Sequence, residues 1–218
     1  MVAVNISGAA AQTEAGNSQE VGGTAPVGGA FPGLKEINTM VDLSFMYTHF
    51  SGNDMRGSYT GLPQFGAGIS FATSERTRFF FSARYGQKSG DPYHDIDGFS
   101  DPDGITVKAL PIMFGMKINA SGRQDFRLYV GGAFQYAFLW ENVSTVDGSD
   151  NPQDVEASGT GPGYYLFMGP EFPLGQGGSA LGVEFGYGGS KGDVVSGSHY
   201  HGVDLTGAHA RIYFTFGI

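Results

Sequence analysis

Cysteine is missing from all 218 residues, so the chain has no disulfide framework and no thiolate metal site. Charge is scarce. Charged residues make up 15% of the chain, against about 25% for ordinary soluble domains. The 12 basic residues are outnumbered by 21 acidic ones, giving a formal charge of −9. That balance excludes the basic footprint of a nucleic-acid-binding protein. No apolar run approaches the length of a transmembrane helix, about 18 residues or more. Membrane strands are not excluded by this, because a barrel strand carries its apolar residues at every second position. What the chain has in excess is glycine, 37 residues, with 18 Phe and 11 Tyr against a single Trp. An aromatic fraction of 14% does not suit a wholly disordered chain.

Residues 1–35 differ from the rest. They are rich in Gly, Ala, Ser and Thr, contain Phe31 as their one aromatic, and carry only Glu14, Glu20 and Lys35 as charges. They show no period of 2 or 3.6, which predicts a flexible N-terminal extension. Met1–Ala11 lacks the basic start of a secretory signal, although Ala9-Ala10-Ala11-Gln12 has the form of a small-residue cleavage site.

From residue 36 to residue 218 the texture is alternation with period 2, the mark of strands with two unlike faces. In the first such segment Val41, Leu43, Phe45 and Tyr47 oppose Asp42, Ser44 and Thr48. In the fifth, Phe126, Leu128, Val130, Phe134, Tyr136, Phe138 and Trp140 oppose Arg127, Tyr129, Gln135 and Glu141. The last sets Ala208, Ala210, Ile212, Phe214, Phe216 and Ile218 against His209, Arg211, Tyr213 and Thr215. Two bulky residues break the rule, Phe80 and Phe167, both on polar faces. Pro111 stands mid-strand and suggests a bulge. Eight segments emerge. Long polar connections (51–59, 87–104, 142–161 and 190–202) alternate with short turns (73–76, 119–125 and 174–179).

An even number of strands, long connections at one rim and short turns at the other predict an all-β, eight-stranded, antiparallel, up-and-down transmembrane barrel. The polar faces decide which side is inside. They collect Asp42, Arg78, Arg84, Lys108, Lys117, Arg127, Glu141, Glu171, Glu184 and Arg211 among Gly and Ser. Small residues between mutually neutralising charges suit a narrow, side-chain-filled interior. The opposite faces are nearly unbroken Phe, Leu, Ile, Val and Ala, too bulky to line so narrow a lumen. Within the lumen, Glu184 and Arg211 are expected to meet at mid-barrel, with His209 nearby. Counting back from 190 and 202 sets Glu184 opposite about Ala208 and leaves His209 and Arg211 as the nearest inward residues. Trp140, Phe214 and Phe216 fall where aromatic girdles sit at the headgroups.

With its eight amphipathic segments and the closing run Ala210-Arg211-Ile212-Tyr213-Phe214-Thr215-Phe216-Gly217-Ile218, the chain resembles the small outer-membrane barrels of the OmpA/OmpX type. The resemblance covers about residues 36–218 and departs from many members in ending on Ile218 rather than Phe. It implies a bacterial outer-membrane location with both termini periplasmic, and outer-membrane lipid and lipopolysaccharide as surroundings. It also implies recognition of the last strand by the barrel-assembly machinery. The function it implies is a structural or adhesive surface protein whose long loops meet an extracellular partner. A small-solute permeability barrel, a membrane-embedded lipid hydrolase or acyltransferase, and a soluble ligand-binding barrel are the alternatives.

Two clusters carry candidate chemistry. Asp95, Asp97, Asp101 and Asp103 are oxygen ligands of the kind that bind calcium, although the spacing is not that of an EF-hand. The competing reading is a solvated acidic loop. Ser196, Ser198, His199, His201 and Asp204 crowd the last long connection, and some small outer-membrane barrels are lipid A acyl-chain enzymes with Ser and His near a rim. Ser-His-Asp chemistry needs geometry rather than sequence proximity, so this cluster is read first as a polar loop.

Overall fold

The structure is a computed structural model, and it describes residues 39–52, 55–56, 59–90, 100–121, 126–146, 152–175, 178–196 and 199–218. The expected extension, 1–35, lies outside the described residues. Nine strands follow one another: β1 (Thr39–Phe50), β2 (Gly61–Ala72), β3 (Thr77–Gly90), β4 (Ser100–Asn119), β5 (Arg127–Val146), β6 (Pro152–Leu174), β7 (Ser179–Ser196), β8 (His199–Asp204) and β9 (Gly207–Gly217). Each pairs antiparallel with its neighbours. β1 closes on β9 from Met40↔Gly217 to Phe50↔Gly207, so the sheet forms a ring.

β8 and β9 are two parts of one stave. β7 pairs with β8 at Lys191↔Asp204 and with β9 at Gly188↔Gly207 without a change of register. The interruption between them is bridged by Leu205 N–H to Ser190 O, 2.9 Å, and by Ser51 N–H to Thr206 O, 2.9 Å. Opposite the break, Gly188 and Gly189 take φ of 151° and 149°, a backbone region that favours glycine. The barrel is therefore eight-stranded with its last stave broken once.

Side-chain direction alternates along every strand. Outward residues such as Leu43, Phe65, Phe81, Phe114, Phe134, Leu166, Phe185 and Ile212 are exposed and form an apolar belt. Inward residues are buried in the lumen. The interior of an eight-stranded barrel is just wide enough for its own side chains, and here rings are accommodated by glycine. Phe80 faces Gly115, Tyr129 faces Gly169, Phe167 faces Gly131, Tyr165 faces Gly188 and Tyr213 faces Gly182 across adjacent strands. A Cβ on Gly131, Gly115 or Gly182 would strike the ring of Phe167, Phe80 or Tyr213 respectively. The two exceptions to the inner polarity, Phe80 and Phe167, pack edge to face on one another with centroids 5.8 Å apart.

The strands run beyond the expected boundaries. β5 and β6 stay paired out to Val146↔Pro152, and β7 and β8 out to Ser196↔His199, so most of 142–161 and 190–202 is hairpin rather than loop. The physical reason is an inversion of face polarity. Beyond the apolar belt the outward residues meet water and are Thr106, Lys108, Asn142, Ser144, Asp154 and Glu156. The inward ones pack together as Ile105, Val107, Ala109, Leu139, Val143, Val194, Val203 and Leu205. Lys108 is thereby corrected: it faces outward, although its polarity suggested the lumen. Pro111 marks no bulge, since Ala83↔Ile112 and Gly86↔Ala109 keep one register on either side of it; the irregularity of β4 lies between Ser100 and Gly104 instead.

This assignment has a direct test. Leu166→Arg, at an outward position within the belt, should cost about 2–4 kcal/mol. Lys108→Glu, outward but beyond the belt, should stay within about 0.5 kcal/mol of the parent. Urea unfolding from lipid vesicles measures both, and equal costs would contradict the height assigned to Lys108.

Candidate functional site

The lumen is built in three layers. Nearest the short turns, Glu171 on β6 is fully buried and collects cations from three other strands. Arg78 Nη1 lies 3.3 Å from Oε1, Arg127 Nη1 2.9 Å from Oε1, and Lys117 Nζ 3.3 Å from Oε2. The Tyr213 hydroxyl donates to Oε2 at 3.1 Å. The Lys117 ammonium also lies 4.7 Å from the Tyr129 ring centroid and 4.8 Å from that of Tyr213. One carboxylate thus ties together β3, β4, β5, β6 and β9.

At mid-height Arg211 bridges two carboxylates. Its Nη1 donates to Glu184 Oε2 at 2.9 Å and its Nη2 to Asp42 Oδ1. Glu184 and Arg211 are direct cross-strand partners. The counted offset to Ala208 is corrected, because β7 and β8 stay paired out to Ser196↔His199, a register three residues on from the one counted between 190 and 202. Arg84, also fully buried, lies over the Tyr165 ring at 4.9 Å and donates to Met46 Sδ at 2.6 Å; its Nε and Nη2 have no protein acceptor. His209 is not part of this group. It stands one inward position further along β9, with Nδ1 2.8 Å from Thr48 Oγ1 and Nε2 2.8 Å from the Gly188 carbonyl. A carbonyl only accepts, so Nε2–H is the donor to Gly188, and in the neutral ring Nδ1 accepts a hydrogen bond from the Thr48 hydroxyl.

The third layer is apolar. Met55, Arg56 and Tyr59 are helical, with Arg56 N–H to Gly52 O at 2.9 Å and Thr60 N–H to Arg56 O at 3.3 Å. The turn drops Met55 and Tyr59 into the mouth, where they pack with Phe50, Leu62, Val107, Leu139, Val194 and Val203. Glu141 is buried here and accepts from the Tyr59 hydroxyl at 3.2 Å. Outside, Lys191 meets Asp204 at 2.7 Å. Partial burial pushes the Asp204 carboxyl up. The Lys191 ammonium and Thr206 outweigh that and hold it below its usual value.

The exterior carries a feature that the sequence reading passed over. Tyr47, Tyr85, Tyr136, Tyr164 and Tyr187 all point outward, on the long-connection side of the apolar belt. Three of their hydroxyls meet polar groups: Tyr85 at Gln87 Oε1, 3.1 Å, Tyr136 at Thr160 Oγ1, 2.8 Å, and Tyr187 at Ser51 Oγ, 3.2 Å. Trp140 is outward at the same end, stacked on Phe138. Phe214 and Phe216 are outward at the short-turn end, with Phe126 and Phe172 in ring contact there as well. Tyrosine has an apolar body and a polar tip, which suits a boundary between hydrocarbon and water. The signal was available in the sequence as tyrosines at outward positions of five strands.

Asp95 and Asp97 lie outside the described residues. Asp101 and Asp103 fall on β4, but their side chains lie outside the description, as do those of Ser196, His199 and His201; Ser198 is also outside it. Among the described residues, no group of three His, Asp or Glu could hold a metal ion.

Removing a partner from a dry ion cluster leaves an uncompensated charge. Glu171→Gln should therefore destabilise the barrel by about 3–5 kcal/mol in urea unfolding from vesicles. A double-mutant cycle on Glu184→Gln and Arg211→Met should show coupling above about 1 kcal/mol. Coupling near zero would contradict the bridging position of Arg211.

No protein-family model matches the sequence, and no curated protein does. Among solved structures, the fold is similar to the crystal structure of Neisserial surface protein A (NspA). Identity is 8%, the match covers 83% of this chain and 97% of that one, and the TM-score is 0.50. It is also similar to the outer membrane protein OprG from Pseudomonas aeruginosa, at 14% identity, covering 84% and 96%, with a TM-score of 0.53. The closed ring, its apolar belt and its filled lumen, together with these likenesses, make the fold that of a small outer-membrane β-barrel.

Proposed function

We propose that the chain is a structural or adhesive surface protein of the bacterial outer membrane, with its long-connection rim outside and both ends of the barrel periplasmic. The observation that carries this reading is the inversion of face polarity. An apolar belt continues into paired hairpins that are polar outside and apolar inside, a construction for standing in water above a bilayer. The filled lumen supports a surface role over solute passage, because ion clusters, rings and the helical turn occupy it from one end to the other. The strand alternation brings the end of β9 and the start of β1 to the rim of the short turns.

An epitope inserted at 147–151 should react on intact cells, and one inserted at 175–178 only after permeabilisation; the reverse pattern would overturn the orientation. In planar bilayers the protein should give no large, steady conductance. Cells displaying the barrel should attach to surfaces or to one another better than cells displaying a variant with the β5–β6 hairpin cut back to Trp140 and Ser158. Equal attachment by two proteins that both show heat-modifiable gel migration would reject the adhesive reading.

A further inference from the structure

We propose that Tyr59 and Glu141 form a pH-sensitive latch across the mouth of the barrel, tight in acid and loosened towards neutral pH. The latch goes beyond the surface role proposed above and does not depend on which side of the membrane the mouth faces.

The wall is lowest where β1 ends at Phe50 and β2 begins at Gly61. The far wall is higher, since β5 and β6 stay paired out to Val146↔Pro152. From the low side Met55 and Tyr59 reach into the interior, each 1% exposed. β5 is the stave diametrically opposite β1. The contact of the Tyr59 hydroxyl with Glu141 Oε1, 3.2 Å, therefore spans the lumen.

The two ends of this contact are held very differently. Glu141 sits in a strand paired on both sides, with Val107 and Ala157 as its partners. The Tyr59 end hangs on Phe50 N–H to Thr60 O and Thr60 N–H to Arg56 O, both 3.3 Å, and on Arg56 N–H to Gly52 O. Thr60 takes φ of 58°, a left-handed value that a β-branched residue rarely adopts. Such a conformation persists only while its surroundings enforce it. When the carboxylate must be wetted, the Tyr59 end gives way before the ladder does.

A carboxyl between Leu139 and Val143, in a layer with Val194 and Val203, is costly to ionise. Glu141 lies above the apolar belt, where burial pushes it up to about 7 against the hydrogen bond from Tyr59. Burial and the neighbouring Glu141 push the Tyr59 phenol up, so it stays a donor. Once released, the carboxyl meets water and returns to its ordinary 4.5. The latched state thus binds the proton more tightly. Latching is strongest below 4.5, weakens by up to about tenfold per pH unit, and levels off above about 7. On the strands packed around Glu141, Lys108, Asp154, Glu156, Lys191 and Asp193 face outward. Asp101 and Asp103 on β4, and His199 and His201 on β8, are the other titratable groups at this end, and each pair is replaced in the test.

Amide hydrogen exchange by NMR on the refolded full chain in nanodiscs, corrected for the intrinsic rate, reads the latch at Arg56 and Thr60. Phe134 in the belt is the reference, and gel migration certifies folding. Protection of Arg56 and Thr60 should fall by up to about tenfold per pH unit between 4.5 and 7 and then level, while Phe134 holds steady. Glu141→Gln, neutral at every pH, should give a flat profile, and Glu141→Met should do the same if the Gln variant does not refold. His199→Gln with His201→Gln, and Asp101→Asn with Asp103→Asn, should keep the fall. A flat wild-type profile, a fall that survives the loss of the Glu141 carboxyl, or a fall abolished by either double variant would overturn the latch. So would an equal fall at Phe134, which would make the effect a loosening of the whole barrel.

Discussion

Closure of β1 on β9 is the constraint from which the other features of this molecule follow. In hydrocarbon no unpaired strand edge is tolerated, since its N–H and C=O groups find no water. The pairs from Met40↔Gly217 to Phe50↔Gly207 satisfy both edges at once. Eight staves closed in this way leave an interior that side chains must fill, and the glycine content is a consequence. Inward rings such as Tyr129, Phe167 and Tyr213 lie against inward glycines of the neighbouring strand, because no second side chain fits the same level.

A narrow, dry interior also dictates how charge is arranged. Isolated ions are costly there, and paired ones need several partners to satisfy their hydrogen-bonding groups; Arg84, which lies over the Tyr165 ring with no carboxylate bonded to it, is the exception among the described residues. Glu171 and Arg211 each act as a hub that joins strands remote in sequence. Towards the long connections the ionic layers give way to Leu139, Val107, Val194 and the helical turn that bears Tyr59. The change coincides with the height at which the outer face becomes polar. Below it, lipid takes the apolar residues and the lumen the polar ones. Above it, water takes the polar residues and the interior becomes an ordinary apolar core.

The same division separates two kinds of function. The filled lumen is a structural element that holds the staves together. The surfaces available to other molecules are the belt, its tyrosine border and the paired hairpins above. On those hairpins both signs of charge occur, with Lys108 on β4, Asp154 and Glu156 on β6, and Lys191 and Asp193 on β7. A rim of this kind presents different faces to different neighbours around its circumference.

Strand parity within the belt was legible in the sequence from the alternation of Val41, Leu43 and Phe45 with Asp42 and Ser44, because lipid and lumen impose opposite polarity on successive residues. So were the inward placement of Glu171, Glu184 and Arg211 and the anomaly of Phe80 and Phe167. Lys108 was misplaced, since polarity was taken as a guide to direction at a height where that relation is reversed. Sequence pattern cannot report height, because height is set by where each strand meets its neighbours. Residue identity and spacing by themselves determined the number of staves, the closed barrel and the lipid-facing surface. Only the tertiary structure decided that Arg211 is shared by Glu184 and Asp42 while His209 turns to Thr48, and that Phe80 rests on Phe167. Those choices depend on register around the whole ring, and a shift of one hairpin tip by a residue or two changes every partner across the lumen.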